Sequence, residues 1–367
     1  MTDILPKAAL VTIDYPPERG GIARYLGSLV RELGEDIDVF VPKGHETQGP
    51  GSVYAVPMYA KFGPWKWRRM IKLFRDIGRD GYSVSLISHV LPVGTAAWIA
   101  KRLGGPAYVV LLHGLDLRLA VSTPFRRWLT RKILKAAKHV VVNSNVVALE
   151  LMAFDASIVP KIVTPGVDSF EVGDKVQARQ TAMVGENEFI ILAVTRHVPR
   201  KGLDRLIEAL GFMPSEAKLV IIGDGKDRPR LERIASHFPG RVRFLTQASD
   251  AERDLWYAAA DVFALPVRDD GKDIEGFGIV YLEAAMAGLP VLAGDSGGAK
   301  EAIEDQTTGY LINPHDPREI ADAVKWLLKD KDLRQRLGEA GRERALRDFR
   351  WHERGLQFRG MLFDEQV

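Results

Sequence analysis

The amino-acid sequence predicts an α/β protein made of two doubly wound units that follow one another along the chain. The chain has 367 residues, enough for two domains with separate hydrophobic cores. Short, continuously apolar runs alternate with helical patterns, as they do where helices cover both faces of a parallel sheet. This series occurs twice, and the polar stretch SFEVGDKVQARQ lies between the two copies.

The first series predicts a unit over residues 1–168. Its strands are predicted at AALVTI, DVFVP, VSLISH, YVVLLHG and HVVVNS. The turn DYPPERGG follows the first strand and leads into a predicted helix from Ile22 to about Leu33. We place the linker to the second unit near residues 167–180.

The second series predicts a unit over residues 175–348. Its strands are predicted at FIILAVTR, KLVIIGDG, VRFLTQ, DVFALPV and VLAGDS, with a helix near 203–210. A buried helix is predicted from Ile279 to Ala287, where Gly288 and Pro290 close it. Ligands of doubly wound sheets bind at the carboxyl ends of the strands. The chemically distinctive residues follow strands in this way: Gly20, Gly21, His113, Arg196, Gly223 and Gly225.

Composition excludes several classes of site. Hydrophobic residues make up 46% of the chain and charged residues 27%, the ordinary range of globular proteins. Cysteine is absent, which excludes disulfides, thiolate metal sites and a cysteine nucleophile. No apolar run approaches the roughly 20 residues of a membrane span, and no secretory signal opens the sequence. These features favour a cytoplasmic protein.

The charge is distributed unevenly. Residues 1–165 hold 22 Lys and Arg against 13 Asp and Glu, whereas the remainder holds 29 against 35. A basic amino-terminal half indicates an anionic partner such as a phospholipid surface or nucleic acid. The alternative is a solvated excess of charge without a partner.

The stretch EGFGIVYLEA places Glu275 and Glu283 on either side of a tight turn that opens a helix. A glycine-rich helix start binds anions, because its first amides are unpaired and the helix dipole is positive there. Carboxylates beside such a site would repel the anion, so we expect them to bind hydroxyl groups attached to it. The pattern therefore predicts a phosphate that carries sugars on both sides.

These residues resemble a known family, the retaining GT-B glycosyltransferases of family GT4. EGFGIVYLEA is similar to its E-x7-E motif, and TRHVPRKGLDRLIEAL, VIIGDGKDRPRLE, LWYAAADVFALPV and GLPVLAGDSGGAKEAI occur in the expected order around it. The resemblance covers nearly the whole chain. It implies two facing Rossmann-like domains with a cleft between them, and a last helix, 349–367, that crosses back to the amino-terminal domain. The finer resemblance is to GDP-mannose-dependent mannosyltransferases that modify phosphatidylinositol mannosides.

The resemblance implies how the donor is held in the second unit. Arg196 and Lys201 would contact its diphosphate, where cations neutralise the charge that grows on the leaving group. The alternative is a solvated loop, and we expect Arg200 to face solvent. Glu283 would bind the ribose hydroxyls, and Glu275 the hydroxyls of the transferred sugar.

Backbone groups complete the expected donor site. The amides of Phe277, Gly278 and Ile279 would cap a phosphate or the far side of the sugar. Gly223 would shape the wall beside the nucleotide, and Thr246 would line the base.

In the first unit, the resemblance implies that Gly20 and Gly21 let backbone amides approach the phosphate. It also implies that His113 reaches the donor sugar or the reaction centre, with Asp116 as a neighbour. A histidine at a strand end is otherwise an ordinary structural residue.

No metal is expected. Asp269, Asp270 and Asp273 lie close together, but we interpret them as solvated loop acids. The resemblance implies a metal-independent enzyme without a cofactor, whose donor substrate is GDP-mannose or another nucleotide sugar.

The segment 61–79 has the composition of an interfacial helix. Six basic residues occur between Lys61 and Arg75 with no acid before Asp76. Helical spacing puts Trp67, Met70, Ile71, Phe74 and Ile77 on one face, which predicts docking on an anionic membrane. The alternative is a domain helix with a basic solvent face. A second basic segment, FRRWLTRKILKAAKH, is predicted as a core helix.

The sequence thus predicts a retaining hexosyltransferase, with mannose from GDP-mannose as the expected donor group and a hydroxyl acceptor, lipid-linked or glycan. The expected location is cytoplasmic or peripheral on the inner face of the cell membrane. Two alternatives remain open: a UDP-sugar-dependent transferase on the same scaffold, and an inactive sugar-nucleotide-binding subunit. A nucleic-acid-binding protein is disfavoured, because no RNA motif or helix-turn-helix occurs.

Overall fold

The structure, a computed structural model, describes residues 7–18, 20–60, 66–168, 172–271 and 274–364. The chain forms two compact units. Unit 1 holds the residues up to Gly166 together with those from Trp351 onward, and unit 2 is Val167–Arg350. The predicted limits were 168 and 348, and the predicted linker belongs to unit 2.

Unit 1 is built on seven parallel strands in the order β3-β2-β1-β4-β5-β6-β7. The strands are β1 (Ala8–Val11), β2 (Ile37–Pro42), β3 (Ser52–Val56), β4 (Val84–Ile87), β5 (Ala107–Leu112), β6 (His139–Val142) and β7 (Lys161–Ile162). The central strands β1 and β4 are wholly buried, which explains their continuous apolar sequences. The edge strands β3 and β7 were not predicted: most of their residues are exposed, β7 has only two residues, and the apolar run VYAV of β3 was not interpreted as a strand.

Six helices connect these strands: α1 (Gly21–Leu33), α2 (Arg69–Arg79), α3 (Thr95–Arg102), α4 (Leu115–Ala120), α5 (Pro124–Ala136) and α6 (Asn145–Phe154). Side-chain caps set two of the starts. Thr123 accepts a hydrogen bond from the Arg126 amide at the start of α5, and Ser144 accepts one from the Val147 amide at the start of α6. Helix α3 packs against both α2 and α5, and the three helices share one core cluster.

The apolar stripe of α2 faces the protein core, so its predicted insertion into a membrane is wrong. Met70, Phe74 and Ile77 are buried in the core of unit 1, and Trp67 and Ile71 pack against it. The physical reason is that the helix covers one face of the sheet and needs its apolar stripe there. The basic residues remain exposed: Lys66, Arg68, Arg69, Lys72 and Arg75. Residues 61–65 of the predicted segment lie outside the described residues.

Unit 2 is built on six parallel strands in the order β10-β9-β8-β11-β12-β13. They are β8 (Phe189–Val194), β9 (Ala217–Ile222), β10 (Val242–Leu245), β11 (Val262–Leu265), β12 (Val291–Gly294) and β13 (Gly309–Ile312). The helices are α7 (Lys175–Thr181), α8 (Leu203–Ala209), α9 (Arg228–Ala235), α10 (Asp250–Ala259), α11 (Ile279–Met286), α12 (Ala299–Ala302), α13 (Pro317–Lys329) and α14 (Lys331–Asp348).

The last helix, α15 (Trp351–Phe363), belongs to unit 1 and packs against α1. The Trp351 ring lies edge-on to the Tyr25 ring at 5.1 Å, and Arg354 donates a hydrogen bond to Thr164 at 2.9 Å. Arg359 forms an ion pair with Asp36. None of the helices in the described ranges is long and apolar enough to cross a bilayer.

Candidate functional site

The strand order places one crevice in each unit. In unit 2 the chain leaves β8 toward β9 and leaves β11 toward β12, so the connections diverge at the carboxyl ends of β8 and β11. In unit 1 they diverge in the same way at β1 and β4. Such switch points are where doubly wound sheets bind ligands. Arg196 and Lys201 follow β8 and Glu275 follows β11, so the unit 2 switch point carries them.

The centre of the unit 2 site is a buried carboxylate with two cations. Arg200 Nη1 donates to Glu275 Oε2 at 2.7 Å, and Lys201 Nζ donates to the same oxygen. Glu275 is only 8% exposed, and both cations are buried. Burial alone would raise the pKa of the Glu275 carboxyl, but the Lys201 ammonium and the Arg200 guanidinium outweigh it and lower the pKa to about 2. The carboxylate is therefore ionised throughout the physiological range.

The expectation that Arg200 faces solvent is wrong. The 3-10 turn Pro199–Lys201 packs against the chain that leaves β11, and the Arg268 amide donates to the Arg200 carbonyl at 2.8 Å. This contact turns the Arg200 side chain inward, onto Glu275. Arg196 is the exposed cation of the segment, and no ion pair engages it among the described residues.

Glu283 lies in the second turn of α11 and is 8% exposed. The Tyr257 hydroxyl donates to its Oε2 at 3.1 Å, which supplies the polar partner that a buried acid needs. Tyr257 was not singled out from the sequence, since it lies among the apolar residues of a core helix.

The turn between the two acids has a conformation that favours glycine. Gly278 has φ +90, and residue Ile279 begins α11 directly after it. The Ile279 amide is the first of the helix, and the first amides of a helix lack the intrahelical acceptors that later ones have. The Gly298 amide donates to the Glu275 carbonyl at 2.8 Å and fixes the turn from the other side. Phe277 is buried in the core, so only its backbone can face a ligand.

Gly223 follows β9 and is required by close packing. A Cβ there would lie 2.1 Å from the Thr195 carbonyl oxygen of the chain that leaves β8. Residue Thr246, half-buried, follows β10 at the same edge of the sheet. Both positions thus border the segment that carries Arg196.

In unit 1, His113 follows β5 and is held without charge. Its ring lies edge-on to Tyr25 at 5.4 Å, and burial lowers its pKa to about 3. Its amide donates to Asp116 Oδ1 at 2.9 Å, and burial raises the pKa of Asp116 to about 6. The His113 Nε2 is buried and finds no hydrogen-bond partner among the described residues.

A hydrogen-bonded chain that sequence reasoning missed lies at the β1 and β4 ends. His89 Nε2 lies 3.2 Å from Asp14 Oδ2, and its Nδ1 lies 2.9 Å from the Ser88 hydroxyl. Ser88 is 2.7 Å from Thr12, whose hydroxyl donates to the Asp14 carbonyl. The Thr12 hydroxyl proton is already used in its bond to the Asp14 carbonyl. In this arrangement Ser88 donates to Thr12, and His89 Nδ1 donates to Ser88.

The glycine pair after β1 is not explained by packing. A Cβ at Gly20 or at Gly21 would meet no atom within 4 Å. Gly20 also has an extended backbone that any residue adopts. The surrounding fold leaves open space there among the described residues.

The aspartates after β11 do not assemble into a metal site among the described residues. Asp269 accepts a hydrogen bond from the Gly271 amide, and both Asp269 and Asp270 are exposed. Asp273 lies outside the described residues. In the part of the chain that is described, no group of three or more acids or histidines is placed to hold a metal ion.

Two family profiles match the chain. Residues 174–344 match "Glycosyl transferases group 1", and residues 20–166 match "Glycosyl transferase 4-like domain".

Curated relatives match over almost the full length. The chain is 33% identical over 375 residues to a GDP-mannose-dependent alpha-(1-6)-phosphatidylinositol monomannoside mannosyltransferase of Mycolicibacterium smegmatis, covering 96% of this chain and 97% of that protein. It is 31% identical over 373 residues to the enzyme of the same name from Mycobacterium tuberculosis, covering 95% of each.

Solved structures confirm the predicted α/β fold class, GT-B. Sucrose-phosphate synthase from Thermosynechococcus elongatus superposes with a TM-score of 0.83 at 23% identity, covering 98% of each chain. HepE of Anabaena, in complex with UDP and glucose, gives 0.82 at 20% identity, covering 96% of this chain and 98% of that one. The chain belongs to the glycosyltransferase group 1 family, with a glycosyltransferase 4-like amino-terminal domain.

Proposed function

We propose that this glycosyltransferase moves mannose from GDP-mannose to a hydroxyl of a lipid-linked acceptor, with retention of the anomeric configuration. The observation that carries the proposal is the buried Glu275 carboxylate, held by Arg200 and Lys201 at the β8–β11 switch point. The names of the mycobacterial relatives support the choice of donor and of acceptor class.

Each charged group of unit 2 has a proposed role. Arg196 and Lys201 neutralise the donor diphosphate, and Lys201 has N–H groups left over after its bond to Glu275. Glu275 accepts hydrogen bonds from the mannose hydroxyls, for which it must stay ionised. Glu283 accepts from the ribose hydroxyls while Tyr257 holds its other side.

Backbone groups shape the rest of the donor site. The amides of Phe277, Gly278 and Ile279 donate to a phosphate or to the far side of the sugar. Gly223 forms the wall beside the nucleotide, and Thr246 borders the base.

In unit 1 we assign Gly20 and Gly21 to backbone contact with the phosphate, a role supported by the open space beside both. His113, as an uncharged imidazole, hydrogen-bonds the donor sugar through its unpartnered Nε2.

The proposed chemistry needs neither a protein nucleophile nor a metal. The bond between the sugar's anomeric carbon and the phosphate oxygen breaks while the acceptor oxygen bonds to that carbon from the same face. A phosphate oxygen of the leaving GDP takes the acceptor proton. The cations stabilise the charge that develops on the diphosphate.

We further propose that the enzyme is cytoplasmic and works at the inner face of the cell membrane. The exposed basic residues of α2 and of the turn before it, Arg68 and Arg69 among them, would be attracted to anionic lipids by about 1 kcal/mol each. Nucleic acid is not a proposed partner.

The donor is tested with a panel of sugar nucleotides in the presence of EDTA. GDP and GDP-mannose should raise the melting temperature more than UDP and UDP-glucose, and mannose transfer should survive chelation. A larger shift with UDP ligands would identify a UDP-sugar transferase instead. Binding of a donor without turnover on any acceptor would identify an inactive binding subunit.

The division of roles is tested with Glu283→Ala and Glu275→Gln. The first should weaken GDP binding, whereas the second should largely spare GDP affinity and lower transfer, because GDP carries no sugar for Glu275 to bind. Glu339→Ala, an exposed acid on α14, is the matched control. Calorimetric GDP affinities that fall equally in both variants would contradict the assignment.

A further inference from the structure

A corner of unit 1 exposes a cluster of large apolar side chains. Residues 122–128, which join α4 to α5 and begin α5, are all exposed. Leu115 and Leu119 are exposed one turn apart on α4, at 39% and 56%, and Phe125 and Trp128 on α5 at 67% and 49%. We call these four side chains the α4–α5 corner. Single exposed apolar residues are ordinary, but four at one corner indicate a surface that something covers.

The two aromatic rings of the α4–α5 corner form one apolar surface. Phe125 and Trp128 are stacked, with ring centroids 6.0 Å apart and an interplanar angle of 28°. The start of α5 is held by defined bonds: its cap at Thr123, and the Arg126 guanidinium bound to the Ser122 hydroxyl at 3.1 Å. The rings therefore stand on a structured helix end.

Apart from Asp116 on α4, the charge around the α4–α5 corner is positive. Residues 117–149 contain seven Lys and Arg and no Asp or Glu. Acids elsewhere neutralise some of them: Glu150 pairs with Arg118, and Asp155 pairs with Arg131 and Lys135. Arg126, Arg127 and Lys132 form no ion pair among the described residues. Three uncompensated cations thus accompany the exposed rings.

The arrangement on α5 suits a bilayer surface. Phe125, Trp128 and Lys132 lie at helical spacing on one face, while Thr130, Ile133 and Leu134 face the core. Aromatic rings and the alkyl stems of Lys and Arg settle at the boundary between headgroups and acyl chains, with the charges among the headgroups. We propose that the α4–α5 corner docks on an anionic phospholipid bilayer and inserts Phe125 and Trp128 into its surface.

The topology places the proposed membrane contact at the carboxyl edge of the unit 1 sheet. Helix α5 connects the adjacent parallel strands β5 and β6, so it runs antiparallel to them and starts at their carboxyl edge. His113 follows β5 at that same edge. A bilayer on the corner therefore lies beside the edge of unit 1 that carries the site residues. The inference does not depend on which donor is used.

The test is co-sedimentation of the full-length protein with phosphatidylglycerol-containing and pure phosphatidylcholine vesicles, at low and high salt. Wild type should bind the anionic vesicles, and part of this binding should survive high salt because it is apolar. Phe125→Ala with Trp128→Ala should lower partitioning by about tenfold or more, since binding strength follows buried apolar area. Phe212→Ala with Trp326→Ala, an exposed aromatic pair in unit 2, should bind like wild type.

Two results would overturn the proposal. One is unchanged partitioning of the α4–α5 variant, with thermal melting and GDP binding showing that it is folded. The other is unchanged vesicle binding together with conversion of a dimer to a monomer in sedimentation velocity, which would make the corner a contact between two copies of the chain.

Discussion

At the residue scale, Arg196 is exposed whereas the nearby Arg200 and Lys201 are buried, a difference that the sequence does not reveal. Arg196, Arg200 and Lys201 all lie in one short loop, and motif spacing pointed to the first and third. The inward position of Arg200 depends on a backbone hydrogen bond from Arg268, which is far along the chain. The pairing of Lys201 with Glu275 arises from the same packing of β8 and β11 loops. Sequence reasoning thus singled out Lys201 and Glu275, which the structure brings together, but it did not predict their ion pair or the part that Arg200 takes in it.

Asp116 should make the protein less stable as the pH rises through the acid range. Its pKa is raised to about 6 by burial, against about 3.9 for an unfolded aspartate. Between these values the folded state keeps a proton that the unfolded state has released, so stability falls as the pH rises. Asp116→Asn should raise the free energy of unfolding by about 3 kcal/mol near neutral pH and by much less at about pH 4.

Urea unfolding of that variant at both pH values checks the prediction. Asn can still accept the hydrogen bond from the His113 amide. Asp305→Asn is the control, because the exposed Asp305 accepts a similar bond from the Leu311 amide. A gain of equal size at both pH values would show that burial of the charge is not the cause.

At the element scale, the sequence predicts the apolar positions of α2 and α5 only in part: α5 buries Ile133 and Leu134 in the core, as predicted, but α2 does so as well. An apolar stripe at helical spacing is the same whether it faces a protein core or a lipid surface. The stripe of α2 covers the sheet, whereas the predicted core helix α5 begins with two exposed rings. Buried strands such as β1, β4 and β8 were predictable, since continuous apolar runs are rare elsewhere. The two-residue edge strand β7 lacks that signal, whereas β3 carries it in VYAV and was missed.

These placements predict stability effects of very different size for two phenylalanines. Phe74→Ala on α2 should cost about 3–5 kcal/mol, because it opens a cavity in a close-packed core. Phe125→Ala on α5 should change stability by no more than about 0.5 kcal/mol, as is usual for surface positions. Denaturant unfolding of the two variants measures both. Equal effects would mean that α2 does not bury its stripe.

At the scale of the whole molecule, unit 1 is completed by the last part of the chain. Gly166 fits against the Trp351 ring so closely that a Cβ would lie 2.7 Å from it. Helix α15 also buries Phe358, Met361 and Leu362. Unit 1 therefore depends on residues that follow all of unit 2.

Trp351→Ala should consequently loosen unit 1 and leave unit 2 intact. Loss of a buried tryptophan costs about 3–5 kcal/mol. Hydrogen exchange should speed up at the β1 and β4 amides while the β8 and β9 amides keep their protection. Leu356→Ala, at a more exposed position of α15, is the control. Equal acceleration in both sheets would show that the units unfold as one.

The hydrogen bond from the Val167 amide to the Phe349 carbonyl, at 2.8 Å, brings the start and the end of unit 2 side by side. Unit 2 is thus a nested insertion within unit 1, and this fixes an order of events during synthesis. Domains ordinarily form in the order in which they leave the ribosome. Here most of unit 1 emerges first, but this unit cannot finish folding until α15 has been synthesised. Unit 2 is complete earlier, at a point when unit 1 still lacks α15.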